Sequence, residues 1–114
     1  MTYFIDVKEK ADLKSKYRQL SLLYHPDRGG EVEKMQAINE EYNMLKKSFG
    51  IFPKRLQEVQ VGNFVFVNQS LCMVFKVEPR LFYAKSFRTG RVAMFAKDTG
   101  YGVFNFNVRA HVNH

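Results

Sequence analysis

The apolar residues of this chain change their spacing near Gly50, and that change most constrains the fold. Up to Phe49 they recur at intervals of three and four residues, the spacing of one face of an α-helix. Beyond Pro53 they alternate with polar residues, and Val, Phe and Tyr become frequent, which is typical of half-buried β-strands. The sequence therefore predicts an α+β chain, with a helical hairpin over residues 1–50 and a small antiparallel β-barrel-like domain over residues 51–114.

Two amphipathic helices are predicted in the first half. The first runs from Lys8 or Glu9 to Tyr24, with Glu9 at the N-cap, and the second runs from Glu31 to Ser48. Their apolar stripes are Leu13, Tyr17, Leu20 and Tyr24 in the first helix, and Met35, Ile38, Tyr42, Leu45 and Phe49 in the second. A further helix near the N-terminus, over Tyr3 to Val7, has room for at most one or two turns.

Five short strands separated by turn residues are predicted in the second half. Strands of this number and length fit a curled antiparallel sheet of SH3-like or OB-like size. Gly62 would be a bulge or bend inside the first of them. The predicted ranges are Val59–Val67, Leu71–Val77, Leu81–Phe87, Arg91–Ala96 and Val103–Val112.

The segment from Tyr24 to Gly30 joins the two helices and concentrates polar chemistry in a short turn. Pro26 fixes its own backbone and pushes His25 out of the helical region, so the first helix should end there. Asp27 then lies just beyond a rigid corner, where its carboxylate can accept hydrogen bonds from an arginine of another protein. Gly29 and Gly30 allow the chain to turn into the second helix. A purely structural turn is the simpler alternative.

The residues around this turn resemble the J-domain of DnaJ-type co-chaperones. Tyr17-Arg18-Gln19-Leu20 is similar to the family's Tyr-basic-x-Leu pattern, and Ile38-Asn39 followed by Tyr42 is similar to its pattern in the helix after the turn. The resemblance covers roughly residues 3–48, and the turn is most similar to compact J-domains of bacterial mobile elements, phages and polyomavirus T antigens. The second half resembles no family that we recognise.

The resemblance implies a co-chaperone that docks on the ATPase domain of a DnaK-type, heat-shock-70-class chaperone and stimulates its ATP hydrolysis. Gln19 stands where the family frequently has Arg or Lys, which implies modest affinity. The implied docking residues are His25, Pro26, Asp27, Arg28, Tyr17, Arg18 and Lys14.

Other features limit the remaining function classes. His25 and Asp27 lack an accompanying nucleophile, so we expect no enzyme and no cofactor. No run of about 18 apolar residues exists, so we expect no membrane span. The stretch from Met1 to Val7 is short and lacks the basic start of a signal peptide, so we expect no secretory leader. The single cysteine, Cys72, favours a reducing cytoplasmic compartment. His111 and His114 are too few to predict a metal site.

The second half is strongly basic, with nine Lys/Arg against three Asp/Glu. Basic residues interleaved with aromatic ones are typical of single-stranded nucleic-acid binding, although the same aromatic residues can simply form the core. The candidate residues are Lys85, Arg88, Arg91, Phe82 and Phe87, of which at most one phenylalanine should stack, because the two lie on opposite faces of a strand. The open alternatives are a protein client, a nucleic-acid-binding protein whose hairpin is only structural, and an assembly protein of a phage or mobile element.

Overall fold

The protein consists of two compact units, Met1–Lys47 and Ser48–His114. The computed structural model describes residues 1–29 and 31–112. Over those residues, no helix is both long and apolar enough to span a membrane. The first unit is helical and the second is an antiparallel sheet, so the α+β prediction is confirmed.

The helices of the first unit are α1 (Asp12–Tyr24) and α2 (Val32–Ser48). The start predicted for α1 is wrong, because residues 9–11 form a turn in which the Asp12 amide donates to the Glu9 carbonyl at 3.0 Å. Ala11 is therefore the N-cap, not Glu9, and it offers no capping side chain. Asp12 instead places a carboxylate in the first turn, where it favours the positive end of the helix dipole.

The two predicted stripes supply the apolar core of the helical unit. Leu13 and Leu20 of α1 are buried, as are Met35, Ile38 and Leu45 of α2. Phe49, predicted to continue the α2 stripe, follows the helix and packs edge-on against Phe64 within the second unit, with ring centroids 5.3 Å apart.

Tyr17 links α1 to α2 by two different contacts. Its ring stacks on Tyr42 with centroids 4.3 Å apart, and its hydroxyl donates to the side-chain carbonyl of Asn39. A stacked ring pair with a hydrogen bond beside it constrains both the separation and the rotation of the two helices. The Tyr and Asn of the sequence patterns are therefore packing partners.

The N-terminal segment has no helix before α1 and is held by a carboxylate instead. The backbone amides of Thr2, Tyr3 and Phe4 all donate to the Glu41 carboxylate of α2, at 3.0 to 3.3 Å. This anchoring places the fully buried Phe4 ring on Tyr42, with centroids 6.0 Å apart. Buried Phe4 and Val7 thus cover the α1–α2 pair from one side without forming a helix.

The second unit is a curled sheet of five antiparallel strands, a half-barrel, with the order β4-β3-β2-β1-β5. The first and last predicted strands are much longer than those observed, whereas the ends of the other three differ by one residue each. The first begins only at Phe64, because Gly62 has φ 94° and forms a turn rather than a bulge. The observed strands are β1 (Phe64–Val67), β2 (Ser70–Val77), β3 (Leu81–Ser86), β4 (Val92–Ala96) and β5 (Ala110–His111).

The fifth strand is short because the chain before it turns back on itself. The side-chain oxygen of Asn105 accepts from the Asn107 amide at 3.0 Å, a local bond that competes with strand pairing. Gly100 precedes this turn with φ 81°, and a Cβ there would lie 2.4 Å from the Ala110 carbonyl oxygen. Only glycine permits this close approach of the two backbones.

Alternation along the strands gives the half-barrel one consistently buried face. That face packs a cluster around the stacked rings of Phe82 and Phe95, whose centroids are 5.5 Å apart. The buried members of the cluster are Val59, Val65, Cys72, Val74, Phe82, Ala84, Phe95 and Ala110. On the opposite face, Phe64 lies among Phe49, Phe52 and Phe87, so both faces of β1 carry aromatic or branched side chains.

Replacing Glu41 by Ala should destabilise the helical unit by about 1.5–3 kcal/mol, the usual range for hydrogen bonds to a charged group. Urea denaturation followed by far-UV circular dichroism measures the change. Glu40→Ala is the matched control, because Glu40 is exposed and its side chain forms no hydrogen bond or ion pair with a described residue; it should change stability by less than about 0.5 kcal/mol. Equal effects of the two substitutions would contradict the anchoring role of Glu41.

Tyr17→Phe keeps the stacked ring and removes the hydroxyl, leaving the Asn39 oxygen without its donor. We expect a loss of about 0.5–1.5 kcal/mol in the free energy of unfolding. Tyr24→Phe is the control on the same helix, since the Tyr24 hydroxyl bonds to no described residue and its ring contacts remain. A Tyr17→Phe variant as stable as Tyr24→Phe would show that the hydroxyl does not hold the helices together.

Candidate functional site

The turn between α1 and α2 has the backbone that its sequence predicts. His25 is extended, with φ −62° and ψ 132°, and it ends α1. Pro26–Arg28 form one turn of 3-10 helix, closed by a bond from the Gly29 amide to the Pro26 carbonyl at 3.1 Å. Gly29 takes the left-handed conformation, with φ 84°, while Gly30 lies outside the described residues.

His25 stabilises this turn through its ring. Its Nδ1 accepts a hydrogen bond from the Asp27 amide at 3.2 Å, so the proton of the neutral ring is on Nε2. The Asp27 carboxylate oxygen lies 3.7 Å from the same Nδ1, too far for a hydrogen bond. The Asp27 side chain is 90% exposed and the His25 side chain is 50% exposed. The turn therefore presents one exposed carboxylate and one ring N–H donor to solvent.

An open groove runs from this turn along α1. Its lining residues are Tyr17, Arg18, Ser21, Leu22, His25 and Asp27. The structure thus brings together Tyr17, Arg18, His25 and Asp27 of the predicted docking residues. Lys14 is exposed one helical turn before Arg18 and outside the lining, and Pro26 and Arg28 contribute to the turn itself.

Two lining residues of the groove were not among the predicted docking residues. Leu22 is 62% exposed, and its position off the apolar stripe of α1 is the signal that could have identified it. The Ser21 hydroxyl is buried and has no hydrogen-bond partner among the described residues. An exposed apolar side chain beside charged groups is suited to a protein partner that covers it.

Of the residues predicted to bind nucleic acid in the second unit, the two phenylalanines are packed against other rings, whereas the three cations lie together. The prediction for Phe82 is wrong, because its ring is fully buried against Phe95 and has no free face for a base. Phe87 is half-buried and packs edge-on against Phe64, with centroids 5.0 Å apart. The three cations of this set do lie at one hairpin, between β3 and β4, where Arg88 and Arg91 are exposed and Lys85 is partly buried.

Neither metal binding nor thiol chemistry is favoured by the described residues. Burial raises the pKa of Cys72 to about 11, so the thiol stays protonated near neutral pH and is a weak nucleophile. Residues 1–29 and 31–112 contain no group of three or more His, Cys, Asp or Glu side chains placed to hold a metal ion. His114, the second terminal histidine, lies outside the described residues.

Comparison with known proteins identifies the helical unit. Residues 6–49 match the model of the DnaJ domain. The small t antigen and the large T antigen of Budgerigar fledgling disease virus are each 42% identical to this chain over 41 residues, which is 36% of this chain. The matched segment spans 28% of the small t antigen and 7% of the large T antigen. No solved structure matches the chain significantly.

The matched range includes both helices and the turn between them, and it ends where the sheet unit begins. It agrees closely with the region over which the sequence patterns resemble J-domains. Residues 6–49 therefore carry a DnaJ domain.

Proposed function

We propose that this protein is a co-chaperone that docks on the ATPase domain of a DnaK-type chaperone and accelerates its ATP hydrolysis. A DnaJ domain implies co-chaperone activity toward heat-shock-70-class partners in general. The observation that carries the proposal for this chain is the turn itself, where Asp27 is 90% exposed on a backbone held rigid by Pro26 and by the His25 ring.

Each group at the turn has a distinct part in docking. The Asp27 carboxylate pairs with an arginine of the chaperone, preferably in the bidentate geometry that makes such pairs strong and directional. His25 keeps Asp27 oriented through the bond to its amide and offers its Nε2 proton to the partner. Since the turn is already ordered before binding, little conformational entropy is lost on association.

The groove on α1 supplies the contact area and the charge. Leu22 and the exposed part of Tyr17 form apolar contacts with the chaperone. Arg18 and Lys14 attract an acidic surface of the chaperone and act mainly on the association rate. Under this proposal the bond-breaking chemistry occurs in the chaperone, this chain is not an enzyme, and both work in the cytoplasm.

The half-barrel unit has the role of targeting, which directs the chaperone to a protein client or to a nucleic acid. A nucleic-acid-binding protein with a merely structural hairpin is the first alternative, and a phage or mobile-element assembly protein is the second. An exposed carboxylate beside an unsatisfied hydroxyl contributes little to the stability of a hairpin, so these features favour a docking role over a structural one.

His25→Gln and Asp27→Asn should each reduce single-turnover ATP hydrolysis by a DnaK-type chaperone to its unstimulated rate. Urea denaturation followed by circular dichroism should show a stability change below about 0.5 kcal/mol for Asp27→Asn, whose side chain projects into solvent. His25→Gln also loses the bond from the Asp27 amide and should cost at most about 1 kcal/mol. Asp98→Asn is the matched control, an exposed aspartate of the other unit, and it should stimulate like the parent. Full stimulation by either turn variant would exclude this docking mode.

Arg18→Glu should weaken docking by about 1 kcal/mol, since a reversed surface charge replaces an attraction with a repulsion. Surface plasmon resonance at two salt concentrations should place most of the loss in the association rate, and added salt should weaken the parent as well. Lys10→Glu makes the same change in net charge away from the groove, so it should have a smaller effect. Salt-independent binding that Arg18→Glu does not alter would show that this face is only solvated.

A further inference from the structure

A cleft of about 520 Å³ opens between the β3–β4 hairpin and the loop that precedes β5. This volume is within the usual range for ligand pockets in proteins. The cleft floor is apolar and includes Val67, Ala84, Phe95 and Val108, which also belong to or pack against the core of the half-barrel. The rim is polar and consists of Asn68, Ser70, Ser86, Thr89, Arg91 and Asn105.

The rim side chains offer more hydrogen-bond donors than free acceptor positions. The side-chain oxygens of Asn68, Ser86, Thr89 and Asn105 already accept from backbone amides of Arg109, Thr89, Arg91 and Asn107, at 3.0 to 3.3 Å. Their N–H and O–H groups bond to no described residue, and the Arg91 guanidinium adds five further donors. Among the described residues that line the cleft, none is acidic. A rim of this kind favours a ligand rich in acceptors and negative charge.

The hairpin beside the cleft also carries an excess of positive charge. Of the acidic side chains in the second unit, Glu58 pairs with Arg55 and Glu78 pairs with Lys76. Arg88 and Arg91 are exposed and form no ion pair with any described residue. The hairpin beside the cleft therefore carries positive charge that a polyanionic ligand would complement.

Phe104 lies at the mouth of the cleft and is 85% exposed. Its loop is closely packed, because a Cβ at Gly102 would lie 2.5 Å from the Asn105 carbonyl oxygen and 2.7 Å from Val108 Cγ2. The bond from the Asn107 amide to the Asn105 side chain orders the loop further. A flat apolar ring is thus held in solvent by a preorganised loop, which is the arrangement that base stacking requires.

We propose that this cleft binds single-stranded nucleic acid, with a base stacked on Phe104 and its phosphates on Arg91 and Arg88. The exposed ring favours a nucleic acid over an acidic peptide, since every base has a flat face and an acidic side chain has none. Duplexes are disfavoured because their bases are already stacked and paired. The proposal specifies the target of the half-barrel unit and does not depend on chaperone docking.

The test is a fluorescence-anisotropy titration of a labelled single-stranded oligo-dT with the full chain and no chaperone present. We expect binding that weakens steeply between about 50 and 200 mM salt. Phe104→Ala should weaken binding by roughly 5- to 150-fold, the range found for lost base–aromatic stacking, and Phe104→Tyr should retain most of the parent affinity. Arg91→Gln should lower the slope of log affinity against log salt by about one.

Phe106→Ala is the matched control, because Phe106 is 76% exposed on the same loop but does not line the cleft. It should bind like the parent. Absence of binding at low salt, equal binding of a duplex, or equal losses in the Phe104 and Phe106 variants would each overturn the proposal. Binding of a labelled acidic peptide in place of the oligonucleotide would assign the cleft to a protein partner and overturn it as well.

Discussion

The paired contact of Tyr17 with Tyr42 and Asn39 is the constraint on which the helical unit depends. It fixes α1 against α2 about two helical turns before the end of α1, with rings 4.3 Å apart and a hydrogen bond beside them. Because both helices are held there, the turn of Pro26–Arg28 has little freedom, and the Asp27 carboxylate is presented at a defined place. The Glu41 carboxylate completes the unit by holding the N-terminal segment over Phe4 and Tyr42. A partner that recognises the turn therefore recognises the packing of the hairpin behind it.

Much of the helical unit could be predicted because its signals are local. The stripes of α1 and α2 follow helical spacing, and Pro26 determines where α1 ends. The role of Glu41 could not be predicted, since its amide partners lie 37 to 39 residues away and leave no periodic pattern. Ala11 likewise replaced Glu9 as the N-cap because a turn over residues 9–11 delays the helix.

In the half-barrel, the alternation of apolar residues predicts the strands but not which of their faces is buried. The alternation correctly places Phe82 and Phe87 on opposite faces of the sheet. It does not predict that the face carrying Phe82 is the fully buried one. Val103–Val112 alternates like a strand, yet the Asn105 side chain captures a backbone amide and shortens the strand to Ala110–His111. Phe104 precedes this bond on the same loop and is 85% exposed. If both units bind their partners, the covalent link between them raises the effective concentration of the chaperone at its target.

The most direct test of the docking surface is a residue-level map of the complex. Isotopically labelled full-length protein would be titrated with the unlabelled ATPase domain of a DnaK-type chaperone, and backbone amide shifts would be followed by NMR. The account predicts that the largest shifts occur at Arg18, Ser21, Leu22, His25 and Asp27, which line the groove on α1. Shifts confined to the half-barrel, with the groove and turn unperturbed in a saturated complex, would contradict it.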